Sequence, residues 1–183
     1  MGWRIFGKTG GRIADVTTFD QLLVSAMIES EFEFISEKTG ESFIWTIETY
    51  NYDAADTILS VRNIHATKKL HIHKIILHGD TETEVEIHVP TTDYTPTGTA
   101  VVGQGLNRTF DVDATAYATA IADETGQATQ GDVIERVRIK ADTDMEIPFN
   151  GALILNNKKA VGVDYVTVGG EAHISIWGFF KED

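Results

Sequence analysis

The sequence has no cysteine and only three prolines among its 183 residues. Without cysteine, disulfide bonds, thiolate metal sites and cysteine nucleophiles are all excluded. Basic residues are also scarce: 15 Lys and Arg stand against 28 Asp and Glu, which gives a formal net charge of -13 at pH 7. Proteins neutralise nucleic-acid phosphates with Lys and Arg, and anionic membranes attract the same residues. We therefore expect neither nucleic acid nor a membrane as a partner.

Long apolar runs are missing as well. The opening residues lack the apolar stretch of a signal peptide, and no segment of the sequence reaches the length of a transmembrane helix. We therefore expect a chain that is made in the cytoplasm and used in soluble form. With 42% hydrophobic residues, the chain is long enough to bury a substantial core.

Short strand-like segments dominate from about residue 43 onward. They are rich in β-branched and aromatic residues, and clusters of Gly, Asn, Asp and Thr separate them. The predicted strands are residues 43–49, 57–63, 70–77, 84–89, 133–139, 152–155, 161–168 and 172–180. This pattern predicts an all-β fold, an antiparallel β-sandwich or jelly roll. The last two strands are predicted to form a hairpin around Gly169 and Gly170.

Two stretches depart from the strand pattern. Residues 1–40 begin with a polar, glycine-rich segment and contain one apolar stretch, so we predict an extended N-terminal arm that makes assembly contacts. Such an arm either folds back on its own domain, residues 41–183, or packs on a neighbouring chain. Residues 90–131 form a connection of unusual length, which either hides weak strands at 99–102 and 108–112 or contacts a partner.

The most conspicuous motif is a match to the P-loop pattern at residues 2–9. A P-loop requires a preceding core strand and a following helix, whose amides bind the phosphates. Here nothing precedes Gly2, and Gly10 and Gly11 would break the helix. We interpret the match as chance and expect no cofactor.

The histidines provide the candidate metal ligands. His71 and His73 project to one face of a predicted strand, as in the metal sites of β-barrels, and His78 is the third candidate. The His-x-His spacing resembles the first motif of the cupin family. However, His78 occupies the place of that family's acidic ligand, and the later Pro-x-Gly-x-x-His segment has no counterpart. We favour a solvated strand face, and a cupin-like metal-binding protein is the third interpretation.

Catalytic motifs are absent from the sequence: there is no Gly-x-Ser-x-Gly elbow, and carboxylate pairs carry little information in so acidic a chain. We therefore predict that the protein is not an enzyme. Trp45, Tyr50, Tyr52 and Tyr94 are a candidate sugar-stacking set, although aromatic residues in β-proteins are more often core or interface anchors.

Several segments are similar to small virion structural proteins of tailed phages, of the head-decoration or cement type. The segments that carry the likeness are residues 3–17, 20–24, 56–63, 70–72, 90–93, 95–99, 147–155 and 174–180. The resemblance implies a β-sandwich or jelly-roll body with an extended arm, and a homotrimer on the capsid surface. It also implies that the major capsid protein or other virion proteins are the partners, and that binding stabilises the assembled head.

If the arm makes the lattice or intersubunit contact, its apolar and basic residues are the expected interface. These candidates are Trp3, Arg4, Phe6, Arg12, Leu22 and Leu23. The alternative virion role is a module of the tail or baseplate that binds a host glycan receptor through the Tyr and Trp set.

Overall fold

The structure, a computed structural model, describes residues 30–50, 57–127, 130–167 and 170–182 together with three short N-terminal strands. These strands are β1 (Ile5–Phe6), β2 (Ile13–Val16) and β3 (Leu22–Leu23), which pair antiparallel in that order. The chain divides into two compact units, Met1–Ser30 and Glu31–Asp183. The second unit therefore begins ten residues before the domain boundary expected from the sequence.

The second unit consists of one α-helix, one short 3-10 helix and eleven strands in the described residues. They are α1 (Glu31–Lys38), β4 (Ser42–Tyr50), β5 (Thr57–Asn63), β6 (Lys69–Gly79), β7 (Thr83–Val89), β8 (Thr99–Val101), β9 (Gln104–Gly105), the 3-10 helix (Ala114–Ala116), β10 (Ala118–Glu124), β11 (Asp132–Ile139), β12 (Met145–Leu155), β13 (Ala160–Tyr165) and β14 (Glu171–Lys181). Within the described part of the chain, no helix combines the length and hydrophobicity needed to cross a membrane.

The strands form two antiparallel sheets. The six-stranded sheet has the order β11-β7-β13-β5-β10-β8, and the five-stranded sheet has the order β12-β6-β14-β4-β9. The first four strands of the body pair with the last four in reverse order: β7 with β11, β6 with β12, β5 with β13 and β4 with β14. A long antiparallel ribbon rolled up across two facing sheets in this way is a jelly roll. The predicted all-β sandwich is confirmed.

The hydrophobic core lies between the two sheets. Strand alternation turns every second side chain inward, so Phe43 and Trp45 of β4 are buried together with Val85 and Ile87 of β7. Tyr165 of β13 is also buried, and its hydroxyl donates a 2.8 Å hydrogen bond to the carbonyl oxygen of His78. Burial of each such side chain stabilises the fold by about 1.5–3 kcal/mol.

The long connection between β7 and β11 hides strands, as one of the two alternatives predicted. The weak strand expected at residues 99–102 is present as β8, whereas residues 108–112 are not a strand. There the side-chain oxygen of Asn107 accepts a hydrogen bond from the backbone N–H of Thr109, and its carbonyl accepts one from Phe110. These bonds form a turn, which competes with strand pairing.

The predicted hairpin between β13 and β14 is wrong. Strand β13 pairs with β5 and β7, whereas β14 pairs with β4 and β6, so the connection crosses from one sheet to the other. Gly169 itself lies outside the described residues. The prediction failed because an alternating strand has the same sequence pattern whether its successor pairs with it or faces it across the core.

Candidate functional site on the outer face of the five-stranded sheet

Four of the six histidines lie on two neighbouring interior strands of the five-stranded sheet. His71, His73 and His78 belong to β6, and His173 belongs to β14. His73 is the extra residue of a β-bulge, because the pairing of β6 with both β12 and β14 passes from Ile72 to Lys74. The bulge reverses the alternation along β6. His71, His73 and His78 therefore all belong to the outer face of the sheet.

The helix α1 covers one end of this face. Phe32 of α1 stacks on His73 with ring centroids 4.3 Å apart, and His71 stacks on Phe179 at 5.0 Å. The Nδ1 atom of His71 lies 3.1 Å from the carbonyl oxygen of Gly151, to which it donates. Burial lowers the pKa of His73 below its ordinary value. His71 and His73 are therefore packing residues.

The expectation of a solvated strand face is wrong for His71, which is only 7% exposed. The physical reason is aromatic stacking, which removes the imidazole from water. The three sequence candidates do not converge on one site either. The five residues of strand from His73 to His78 span about 17 Å.

At the open end of the face, His78 meets a different set of residues. His173 lies directly opposite His78 on one side and Glu48 on the other, so the three form a row across β6, β14 and β4. The rings of His78 and His173 are 5.4 Å apart and perpendicular. The Nδ1 atom of His78 lies 2.9 Å from a carboxylate oxygen of Asp144.

Glu171 completes this group, because it lies two residues before His173 on the same strand and the same face. A carboxylate oxygen of Glu171 contacts Nε2 of His173. One ligand atom from each of Glu48, Glu171 and His173 lies within 4.8 Å of the other two. We call Glu48, His78, Asp144, Glu171 and His173 the His173 cluster.

Sequence reasoning found one member of this cluster, His78, and missed its neighbours. The segment Glu171-Ala-His173 carries a usable signal, because residues i and i+2 of a strand share a face. Glu48 carries no such signal. Its position opposite His173 depends on the register of β4 against β14, which strand alternation alone does not fix.

The other conspicuous surface is an edge of the sandwich. Strand β11 is the terminal strand of the six-stranded sheet, and among the described residues it pairs on one side only, with β7. Val133 and Ile134 are 41% and 40% exposed, and Ile134 lies at a β-bulge. Unpaired N–H and C=O groups along such an edge are a template for pairing with another chain.

The two described members of the aromatic set proposed for sugar stacking, Trp45 and Tyr94, do not form a platform. Trp45 is fully buried in the core. Tyr94 packs against the six-stranded sheet instead, where its hydroxyl lies 2.9 Å from Ser60 Oγ and its ring lies under the guanidinium of Arg62. Burial raises the pKa of Tyr94. Tyr52 and the side chain of Tyr50 lie outside the described residues.

The six residues predicted for the arm contact lie only partly within the described residues. Trp3, Arg4 and Arg12 lie outside the described residues. The other three candidates are placed only as members of strands, Phe6 in β1 and Leu22 and Leu23 in β3. Of the P-loop match at residues 2–9, only β1 is described. The arm interface stays a prediction.

Comparisons with family models, with curated proteins and with solved structures find no match for this chain.

Proposed function

We propose that this chain is a virion structural protein of the head-decoration type, which binds an assembled phage capsid as a homotrimer and stabilises it. The proposal assigns it no catalytic activity and no cofactor. The observation that carries it is a jelly-roll body whose long, partly apolar strand β11 has no partner on its outer side in the described part of the chain. Jelly rolls occur in viral capsid proteins but also in lectins and cupins. The exposed edge is therefore stronger support for assembly than the fold class is.

This edge favours assembly, because its backbone groups and apolar side chains stay exposed to water in a monomer. Strand β11 is eight residues long, and its solvent side leaves backbone donors and acceptors unpaired within the described sandwich. Exposed Val133 and Ile134 add apolar surface to the same strand. An exposed edge of this kind can also cause aggregation. A second copy of the chain that packs against β11 would cover it. We therefore assign β11 to the contact between protomers.

Charge supports a protein partner with a basic surface. The formal net charge of -13 repels nucleic acid and promotes association with a surface of the opposite sign. Binding to a lattice would stabilise the folded chain by mass action, and the reciprocal effect would stabilise the lattice. In this proposal, binding therefore stabilises both the chain and the capsid lattice.

The copy number of the chain per particle tests the virion role directly. Quantitative mass spectrometry of purified particles would compare the chain with the major capsid protein. A ratio near one copy per capsid subunit, or a simple fraction of it, is expected for a decoration protein. A handful of copies would place the chain in the tail or neck and favour the receptor-binding alternative. Absence from particles would contradict both virion roles.

A charge on the β11 edge tests the contact between protomers. We expect the full chain to be a trimer by light scattering after size-exclusion chromatography. Val133→Lys should convert it to a monomer, because an ammonium group buried in an apolar contact is strongly unfavourable. Val166→Lys is the matched control, since Val166 is 44% exposed and follows the last residue of β13. A trimeric Val133→Lys variant would refute the assignment of β11.

A further inference from the structure

The His173 cluster has no part in the proposed assembly contacts, and its composition requires a separate explanation. It brings an imidazole and two carboxylates together on neighbouring strands, with a second imidazole beside them. We propose that this cluster is a binding site for one divalent transition-metal ion of the zinc class. Glu48, Glu171 and His173 are the ligands, and His78 lies beside them, directly opposite His173.

The backbone holds the ligands in place. Glu48 and His173 are direct cross-strand partners in the pairing of β4 with β14. Directly opposite residues have Cβ atoms about 4.5–5.5 Å apart, a separation that allows two side chains to reach one ion. Glu171 reaches the same point from two residues along β14. The position of the site is therefore fixed by the sheet, not by a loop.

The distances are close to those of a metal centre. Zinc binds imidazole nitrogen and carboxylate oxygen at about 2.0–2.2 Å, so tetrahedral ligand atoms lie about 3.4 Å apart. Here the three ligand atoms lie within 4.8 Å of one another. The widest pair therefore has to approach by up to about 1.4 Å, whereas the Glu171 oxygen that contacts Nε2 of His173 has to move away from it. The Glu48 and Glu171 side chains have three torsions each, which allow adjustments of this size.

The donor set selects the class of ion. Calcium and magnesium prefer shells made of oxygen alone, whereas imidazole nitrogen favours zinc and its transition-metal neighbours. Two nearby carboxylates repel each other, and a dication between them removes that repulsion. The charges of Glu48 and Glu171 together match the charge of the ion.

His78 has the support expected of a metal-binding histidine. Its Nδ1 atom lies 2.9 Å from a carboxylate oxygen of Asp144, so this hydrogen bond orients the ring and does not involve Nε2. A carboxylate behind a histidine ligand is a common arrangement in zinc sites, where it fixes the tautomer and increases the basicity of the imidazole. Three ligand atoms lie together in the described structure, and binding through His78 as a fourth ligand would require its ring to approach them.

Metal titration of the full chain, prepared without a histidine tag and freed of metal by chelation, tests the proposal. Calorimetry should show one Zn²⁺ bound per chain. Co²⁺ should give the visible absorption of a tetrahedral site with imidazole and carboxylate ligands. The melting temperature should rise at saturating Zn²⁺, because the ion binds only the folded state.

Two variants and a control assign the site. His173→Gln and Glu48→Gln should each weaken Zn²⁺ binding by more than about tenfold. Glu48 is exposed in the described structure, so its variant keeps the fold. His73→Gln is the control, because His73 lies on the same sheet face but stacks on Phe32 at the helix end. It should bind Zn²⁺ with unchanged affinity.

Three results would overturn the proposal. They are the absence of saturable Zn²⁺ binding by the wild-type chain, wild-type affinity in Glu48→Gln and His173→Gln, and a loss of binding in His73→Gln as complete as in those two variants. None of these results depends on the virion role, since all are measured on the isolated chain. Failure of the metal site would therefore leave the copy-number test of the proposed function unaffected.

Discussion

At the scale of single residues, His88 is the group with the largest consequence for pH stability. It is fully buried in β7, and its Nε2 lies 3.1 Å from the hydroxyl of Thr57. Its Nδ1 has no hydrogen-bond partner in the described part of the chain. Burial lowers the pKa of His88 from 6.5 to about 4, because the low-dielectric surroundings disfavour the charged ring.

The folded state should therefore lose stability in mild acid. Since the pKa of His88 is lower in the folded state than in the unfolded state, the unfolded chain binds more protons between about pH 6.5 and pH 4. The contribution of His88 is fully present above pH 6.5 and is lost as the pH falls towards 4. We expect the free energy of unfolding to decrease by up to about 3 kcal/mol over this range.

Denaturant unfolding at a series of pH values measures this loss, and His88→Gln is the comparison because its side chain stays neutral. The variant should show a shallower pH dependence than the wild type between pH 6.5 and 4. An NMR titration provides a direct check on the ring. A His88 pKa near 6.5 in the folded protein, or equal pH slopes in both chains, would contradict the prediction.

Tyr117 is the second residue with a definable contribution. Its hydroxyl donates a 2.8 Å hydrogen bond to a carboxylate oxygen of Glu41, which Lys68 also contacts. Burial, together with this bond, raises the pKa of Tyr117 to about 12. Burial alone would raise the pKa of Glu41, but the hydrogen bonds from Lys68 and Tyr117 outweigh it and the pKa is lowered. The carboxylate therefore stays charged in the folded protein.

Removal of this hydroxyl should destabilise the fold. Tyr117→Phe keeps the ring that packs on Phe43 and Phe180 but deletes a hydrogen bond to a charged acceptor, which costs about 1.5–3 kcal/mol. Tyr94→Phe is the reference, because it deletes a bond to the neutral hydroxyl of Ser60 and should cost about 0.5–1.5 kcal/mol. Denaturant unfolding of both variants measures the loss of stability. A larger loss for Tyr94→Phe than for Tyr117→Phe would refute the prediction.

At the scale of elements, a glycine in β13 controls how the middle of the six-stranded sheet packs. Gly162 lies opposite His88 of β7 and Ser60 of β5. A methyl group added at Gly162 would lie 2.3 Å from Nε2 of His88 and 2.8 Å from Cγ2 of Thr57. Such distances are far below van der Waals contact, so the buried imidazole has space only because residue 162 has no side chain.

Gly162→Ala should therefore cost about 1–3 kcal/mol, the usual penalty for overpacking a buried site. It should also break the bond between His88 and Thr57. Gly105→Ala in β9 is the matched control, since its added methyl would lie 3.9 Å from the carbonyl oxygen of Val112, an ordinary contact. Thermal unfolding of the two variants separates the effects. Equal melting temperatures would mean that the sheet accommodates the methyl group.

The elements also show how far the candidate site follows from the sequence. Alternation correctly predicts that His71 and His73 share a face, because that inference needs only local geometry. His78 belongs to the same face only because of the bulge at His73. The sequence of β6 contains no signal that predicts this bulge. The approach of Glu48 to His173 requires the register between two strands separated by more than a hundred residues, which local patterns do not contain.

At the scale of the whole molecule, the positions of the strands are more predictable than their connections. Runs such as residues 57–63 are predicted at their observed bounds, because β-branched composition and flanking turn residues are local signals. The Ala-rich strand β10 was missed, since alanine is depleted in strands. The reverse-order pairing of the jelly roll is a property of the whole chain. No single segment encodes which sheet the next strand joins.

The division of the chain into two units leads to the last prediction. The second unit, Glu31–Asp183, contains both sheets and the described core, so deletion of residues 2–20 should leave a folded, cooperatively unfolding protein. Its far-UV circular dichroism should still report a β-protein. The same deletion removes Trp3, Arg4, Phe6 and Arg12, four of the six candidate contact residues, and should abolish binding to the capsid.

Cosedimentation of the purified protein with undecorated particles measures this binding, and the full chain serves as the reference. Val133→Lys distinguishes the contact between protomers at β11 from the contact between the arm and the capsid. As a folded monomer with an intact arm, it should bind particles more weakly than the trimer, because avidity is lost, whereas the deletion should not bind at all. If the truncated chain decorates particles as well as the full chain does, the arm is not the lattice contact and the sandwich must supply it.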